Sequence, residues 1–240
     1  MTIIDATDLG YQMLNEWIKN TKGPCTVANC CGQRFLAAGM TDKEITVQGV
    51  PGNALGAFLN GARIFVEGNA QDAVGDTMND GVIAIDGSVG DAAGYAMRGG
   101  RIYIRGDAGY RAGIHMKAYE DKVPVMVIGG CAGSFLGEYQ AGGIILVLGL
   151  GRGDRNLVRY FPCTGMHGGT LFLRGSVEGL RFPPQVSARR AQENDLALIR
   201  EHLAQFCELF GYEIDILLSE PFTVVTPDTS NPFRQLYVAN

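Results

Sequence analysis

Cys25, Cys30 and Cys31 form a C-x4-C-C cluster. This spacing matches no zinc or ferredoxin pattern, and two adjacent thiols cannot easily point at one metal, so buried or incidental cysteines are expected. Three histidines, His115, His167 and His202, are too few for a histidine-rich metal site, and His202 is read as a surface residue of a C-terminal helix. Ser134, in CAGSFLG, is a candidate nucleophile with His115 as its base, and Cys131 is a second; either would make the chain an independent hydrolase. Against this, Ser134 has no G-x-S-x-G elbow, and Asn53, Gln71, Asp91 and Tyr110 are read at its position in neighbouring repeats. His115 precedes the insertion KAYEDKV, which carries Tyr119, and loops that leave a regular scaffold are where contacts are made. From 150 to 166 a second excursion gathers Arg152, Arg155, Arg159, Tyr160 and Phe161, a mixture that favours a protein interface.

The elements that must position these groups come from a repeat. ITVQG (45–49), IFVEG (64–68), IAIDG (83–87) and IYIRG (102–106) end on glycines 19 residues apart. Gly56, Gly75, Gly94 and Gly113 keep the same step, as do Leu59, Met78, Met97 and Met116. Three columns at one period indicate a solenoid. MVIGG (126–130), ILVLG (145–149) and LFLRG (171–175) continue it across two insertions, giving about seven coils. Each coil opens on a five-residue strand of period 2, and stacking strands from successive turns buries a continuous column. Nineteen residues are too few for a helical repeat and fit a β-helix coil. Glycine supplies its sharp corners, and the methionine ladder fills its core. No amphipathic helix follows the glycines, so they are not a dinucleotide fingerprint.

The fold expected is all-β, a single-stranded right-handed parallel β-helix over 44–180 with helical flanks at 1–43 and 181–240. A helix is expected over 7–20, capped by Thr7 or Asp8, and another of about 20 residues from near Ser187, followed by a strand-like EIDILL and a tail with Pro221, Pro227 and Pro232. Outward strand positions Thr46, Phe65, Ala84, Tyr103, Val127, Leu146 and Phe172 form a stripe apolar enough to need a cover, either the chain's own terminal helix or a partner. Phe65 and Tyr103 are therefore candidate interface residues. Beside them, Arg105 is placed to pair with Asp86 one coil away.

Composition narrows the class. There are 34 glycines in 240 residues, roughly twice average usage. Lys and Arg number 20 against 25 Asp and Glu, with no basic cluster that would track phosphates, so nucleic acid is not an expected partner. No segment approaches the 18 or more apolar residues of a membrane span, and the opening MTIIDATDLG has no cationic leader, so a cytoplasmic protein is expected.

The coils GVPGNALG, GSVGDAAG, GDAGYRAG and GCAGSFLG, the doublets Gly99-Gly100, Gly142-Gly143 and Gly168-Gly169, and VANCCGQRF (27–35) resemble the GXGXG family, the glycine-repeat β-helix that closes the large subunit of glutamate synthase and also occurs as a separate protein. The resemblance spans nearly the whole chain. It implies a noncatalytic subunit with no cofactor of its own. The glutamine amidotransferase, and the synthase holding FMN and an iron–sulfur cluster, are expected on partner chains. The same domain resembles the C subunit of formylmethanofuran dehydrogenase, an alternative assembly; self-association through the apolar stripe is a third expectation.

Overall fold

The computed structural model describes residues 2–228. Pro232 of the expected tail lies outside the described residues. Nine strands run parallel, one above the next: β1 (Thr2–Asp5), β2 (Cys25–Cys31), β3 (Glu44–Val50), β4 (Asn60–Glu67), β5 (Asp80–Ile85), β6 (Arg101–Ile104), β7 (Val125–Ile128), β8 (Ala141–Val147) and β9 (Gly168–Arg174). One residue column runs Ile45, Ile64, Ile83, Ile102, Met126, Ile145 and Leu171, so both insertions leave this column aligned. These side chains point inward and are buried. Nine parallel strands need eight connections, so the solenoid has about eight turns, more than the seven counted from glycines. The early coils escape that count because they lack the glycine columns, although Ile4 pairs with Val27 and Val27 with Val47 in the same sheet.

A second inward column is Leu59, Met78, Met97, Met116, Gln140 and Met166, each fully buried. Gln140 breaks the apolar series for a local reason. Its Nε2 donates to the carbonyls of Gly142 and Gly143 (3.2 Å each), where β8 slips register against β9. Gln140→Met restores the ladder residue but strips both carbonyls of this donor. We expect it to destabilise the protein by about 1–2 kcal/mol in urea denaturation, although Gln140 Oε1 has no partner of its own. A more stable variant would show that the orphaned oxygen outweighs the two bonds.

Each coil turns back to the sheet through alternate left-handed residues. In one coil these are Ala92, Gly94 and Ala96 (φ 55°, 67° and 49°); in the next, Arg111, Gly113 and His115 (59°, 70° and 55°). In these coils the middle position is glycine, and a Cβ on Gly94 or Gly113 would lie 2.4 Å from Met126 Cε or Ile145 Cδ1 in the core; the end coils place Ala37 and Cys163 there (φ 58° and 61°). The outer two point their side chains away, and a non-glycine there costs roughly 1–2 kcal/mol. The residues leading into these turns carry side-chain ladders. Asn53, Asp72 and Asp91 each accept a backbone N–H from the next coil (3.3, 2.9 and 2.8 Å), as do Asn69, Ser88 and Asp107. The ladder member is thus Asp72, and Gln71 lies one residue out of register.

The apolar outer stripe is covered by the chain itself. Helix α2 (Glu193–Phe210) buries Ile199, Leu203 and Phe206 in one cluster with Tyr103, Val127, Leu146 and Phe172. It begins at Glu193, with a Gln192–Asp195 capping box, and not near Ser187, because Val186–Arg190 forms strand β10. EIDILL is also corrected. Ile214–Leu218 is a short helix, α3, that buries Leu217, and the strand is Phe222–Pro227, β11, which pairs antiparallel with β9 and β10 to close the sheet. The first helix, α1, is Tyr11–Asn20; Thr7 instead bonds Asp5 Oδ1, and Asp8 is left-handed (φ 58°), so neither caps it. Among the described residues no helix is long and apolar enough to cross a membrane.

Under α2, His202 is buried and not a surface residue, because its side of the helix faces the sheet; its Nδ1 has no hydrogen bond, nor has the Tyr103 hydroxyl. Burial lowers the His202 pKa below 6.5, aided by Arg101 and opposed by Glu201, which is ion-paired to Arg101 at 3.4 Å. The unfolded chain then takes a proton below pH 6.5 that the folded chain refuses. Stability present above that value is lost as pH falls through it. Melting followed from about pH 7 to 5 should show this loss, and His202→Leu should flatten it.

Candidate functional site

The left-handed corner positions change character along the solenoid. Ala54, Ala73 and Ala92 occupy one outer column in the earlier coils, and Arg111, Phe135 and Phe161 occupy it later. The other column passes from Thr77 and Ala96 to His115 and Tyr139. Alanine suffices for the turn, so the backbone conformation does not call for the larger side chains of the later coils. Phe35 sits against Tyr11 of α1 (5.9 Å between centroids), which gives it a packing role; nothing in the structure explains Phe58.

These side chains make one aromatic ridge. His115 stacks on Tyr139 (5.2 Å between centroids, 9° between planes) and meets Tyr95 edge-on (6.0 Å). Phe135 contacts Tyr110 (5.4 Å) and Phe161 (5.2 Å), and Tyr160 follows Phe161. Arg111 packs on the second row. Its guanidinium lies over Tyr110 (4.7 Å) and Phe135 (5.6 Å) and pairs at 2.6 Å with Glu138, whose side chain is buried. Tyr160 and Phe161 remain 69% and 62% exposed, a large apolar area left open to contact.

Beside the ridge is a cleft of about 600 Å³ between the 155–160 segment and residues 107–110 and 131–134. Arg155 pairs with Asp107 at 2.5 Å, and Tyr160 N–H donates to Ser134 Oγ at 3.2 Å. Burial pushes the Asp107 carboxyl up, but the Cys131 N–H and Arg155 outweigh it and hold it below its ordinary value. Cys131 moves the other way: burial raises its thiol, so it is held as S–H. Ser134 lines the cleft while His115 stands in the ridge, so the serine–histidine pair needed for hydrolysis is not assembled.

Of the residues marked out by sequence, His115, Arg155, Arg159, Tyr160 and Phe161 gather at the ridge and cleft. Arg152 braces the same loop, donating to Ser176 O at 3.4 Å. Tyr103 is corrected: it is fully buried beneath α2 and offers no free surface, while Phe65 is half-buried at the margin of the same cluster. Tyr119 is exposed but lies apart, on an insertion whose Lys122 pairs with Asp80 (3.0 Å). Cys25 and Cys30 are buried, Cys31 is exposed, and burial raises the Cys30 thiol to about 11. Tyr95, Arg111, Phe135, Glu138 and Tyr139 escaped sequence reasoning. The columns two residues either side of Gly94, Gly113 and Gly137 carried the signal for Arg111, Phe135 and Tyr139.

The family model for the GXGXG motif matches residues 11–227. The chain belongs to the GXGXG family. A protein of Methanocaldococcus jannaschii described as uncharacterized is 43% identical over 249 aligned residues, covering 98% of this chain and 95% of the relative. In this GXGXG protein the repeated features, glycine corner, methionine core and polar side-chain ladder, serve the solenoid. The ridge and the cleft depart from the repeat.

Proposed function

We propose that this chain is a noncatalytic assembly subunit of a glutamate-synthase-type complex, with the aromatic ridge as its docking surface. The observation that carries the reading is the placement of exposed Phe161, Tyr139 and His115 at left-handed positions where alanine serves the turn. Exposed aromatic side chains with arginine beside them are the composition of an interface hot spot. The glutamate-synthase context comes from family membership together with the resemblance. In it, an amidotransferase-type chain and an FMN synthase-type chain with an iron–sulfur cluster do the chemistry in the cytoplasm, and this chain, holding no cofactor, positions them. Right-handed winding, the hand parallel crossovers take, and flanks at 1–43 and 181–240 acting as end caps of the 44–180 coil, belong to the same reading.

Gentle purification of the tagged chain from its native host tests it. Wild type should carry the two catalytic chains with it, and Tyr160→Ala/Phe161→Ala should reduce their recovery by tenfold or more, two hot-spot residues being worth about 2 kcal/mol each. Its melting temperature should stay close to wild type, since alanine already occupies the Phe161 column at Ala54, Ala73 and Ala92. Recovery as a lone species, or with a molybdenum or tungsten oxidoreductase, would overturn the glutamate-synthase assignment.

A further inference from the structure

We propose that the cleft beside the ridge binds a zwitterionic small molecule of free-amino-acid size. The proposal does not rest on the docking reading. The cleft exists because the chain takes 26 residues instead of 19 between Ser134 and Tyr160, which nevertheless stand in one column, Tyr160 N–H bonding Ser134 Oγ. Its wall is held in place without a ligand. Arg155 spans back to Asp107, and its Nε donates to Arg152 O (3.2 Å). Gly109 and Gly133 line the cleft as bare backbone, since a Cβ on Gly133 would fall 2.5 Å from Gly109 O and one on Gly109 2.4 Å from Asp91 Oδ1. The volume, about 600 Å³, is within the range of small-molecule sites.

The charges around it decide the ligand. Asp107 and Arg155 neutralise each other. Asp91 uses Oδ1 for the Tyr110 N–H (2.8 Å) and has Oδ2 left over. Among the described residues the Arg159 guanidinium makes no hydrogen bond or ion pair, while its own N–H goes to Ala132 O (3.1 Å). The cleft thus offers one carboxylate and one guanidinium. Asp91 and Tyr160 stand in one column three coils apart, about 14 Å, with Arg159 next to Tyr160. An arginine side chain extended along the cleft closes part of that distance and leaves a gap of small-molecule length. A simple anion would satisfy Arg159 and face Asp91, and a simple cation the reverse. A molecule with an ammonium at one end and a carboxylate at the other answers both, and the Tyr110 and Tyr160 rings wall its side chain.

Isothermal titration of the full chain with each common L-amino acid, alone, is the experiment. At least one should bind with one-to-one stoichiometry. Its N-acetyl and amide derivatives, each lacking one charge, should bind at least tenfold more weakly. Arg159→Gln and Asp91→Asn should each cost tenfold or more; asparagine keeps the acceptor that Tyr110 needs, so the ladder and the melting temperature should hold. No binding at millimolar concentrations, undiminished binding in both variants, or equal binding of the N-acetyl derivative would overturn the proposal. Partner recovery plays no part in this readout, so its failure is distinct from failure of the docking reading.

Discussion

Gly81→Ala should leave little folded protein, whereas Gly61→Ala should remain folded with a modest loss of stability. Both glycines stand near the start of a strand with φ in a range that L-residues rarely adopt, +103° and +121°. Strain from an added Cβ is therefore similar at the two sites, roughly 1–3 kcal/mol. The surroundings differ. At Gly61 a Cβ meets nothing within 4 Å, while at Gly81 it lies 2.3 Å from the carbonyl oxygen of Ala62. That atom is backbone of the neighbouring strand and cannot turn away as a side chain does. Relief requires separating β4 from β5, whose residues pair from Arg63 with Val82 to Val66 with Ile85. A solenoid is held by nearest-neighbour coils, so a break here should cost more than about 4 kcal/mol and split unfolding into two steps. Chemical denaturation of both variants by circular dichroism checks this; equal losses would refute the steric account.

The second large effect concerns the ridge. Arg111→Ala should destabilise the protein by about 2 kcal/mol, and Glu138→Gln added to it should restore about half of the loss. The Glu138 side chain is 7% exposed and its partner Arg111 42%. Removing one partner of a fully buried pair costs about 3–5 kcal/mol; the exposure of Arg111 admits water to the bereaved carboxylate and reduces that figure. Loss of the guanidinium from the Tyr110 and Phe135 faces contributes roughly 1 kcal/mol. The backbone contributes nothing, since Ala54, Ala73 and Ala92 hold the same left-handed conformation in earlier coils. A double-mutant cycle from urea denaturation measures the coupling. If Arg111→Ala costs the same in the Glu138→Gln background as in the wild type, the buried carboxylate is not the cause.

The solenoid was open to sequence reading because its information is repeated. Ile64, Ile83 and Ile102 report the inward strand column three times over, Met78, Met97 and Met116 the core, and Gly56, Gly75 and Gly94 the turn. The Arg105–Asp86 pair, at 2.8 Å, followed from the same step. Where the period is silent, reading from sequence failed. The first coils lack the glycine columns, so β1 and β2 went uncounted. EIDILL alternates like a strand, but β9 pairs with Phe222–Pro227 instead, and Leu217 turns into the outer cluster as part of a helix.

What the sequence alone determined was the coil: its length, the inward identity of its isoleucine and methionine columns, and the expectation that the apolar outer stripe needs a cover. It did not determine which cover, because a helix with a stripe at Ile199, Leu203 and Phe206 fits a sheet of its own chain and one of another chain equally well. Tertiary packing settled that by placing α2 on Tyr103. It also decided the site. His115, Phe135, Glu138 and Phe161 are spread along the chain, and only the stacking of one coil on the next brings each within side-chain reach of its neighbour. At the outer left-handed positions of these turns the side chain points away from the core, whereas at the middle one a Cβ would enter it, and that direction is a property of the folded backbone.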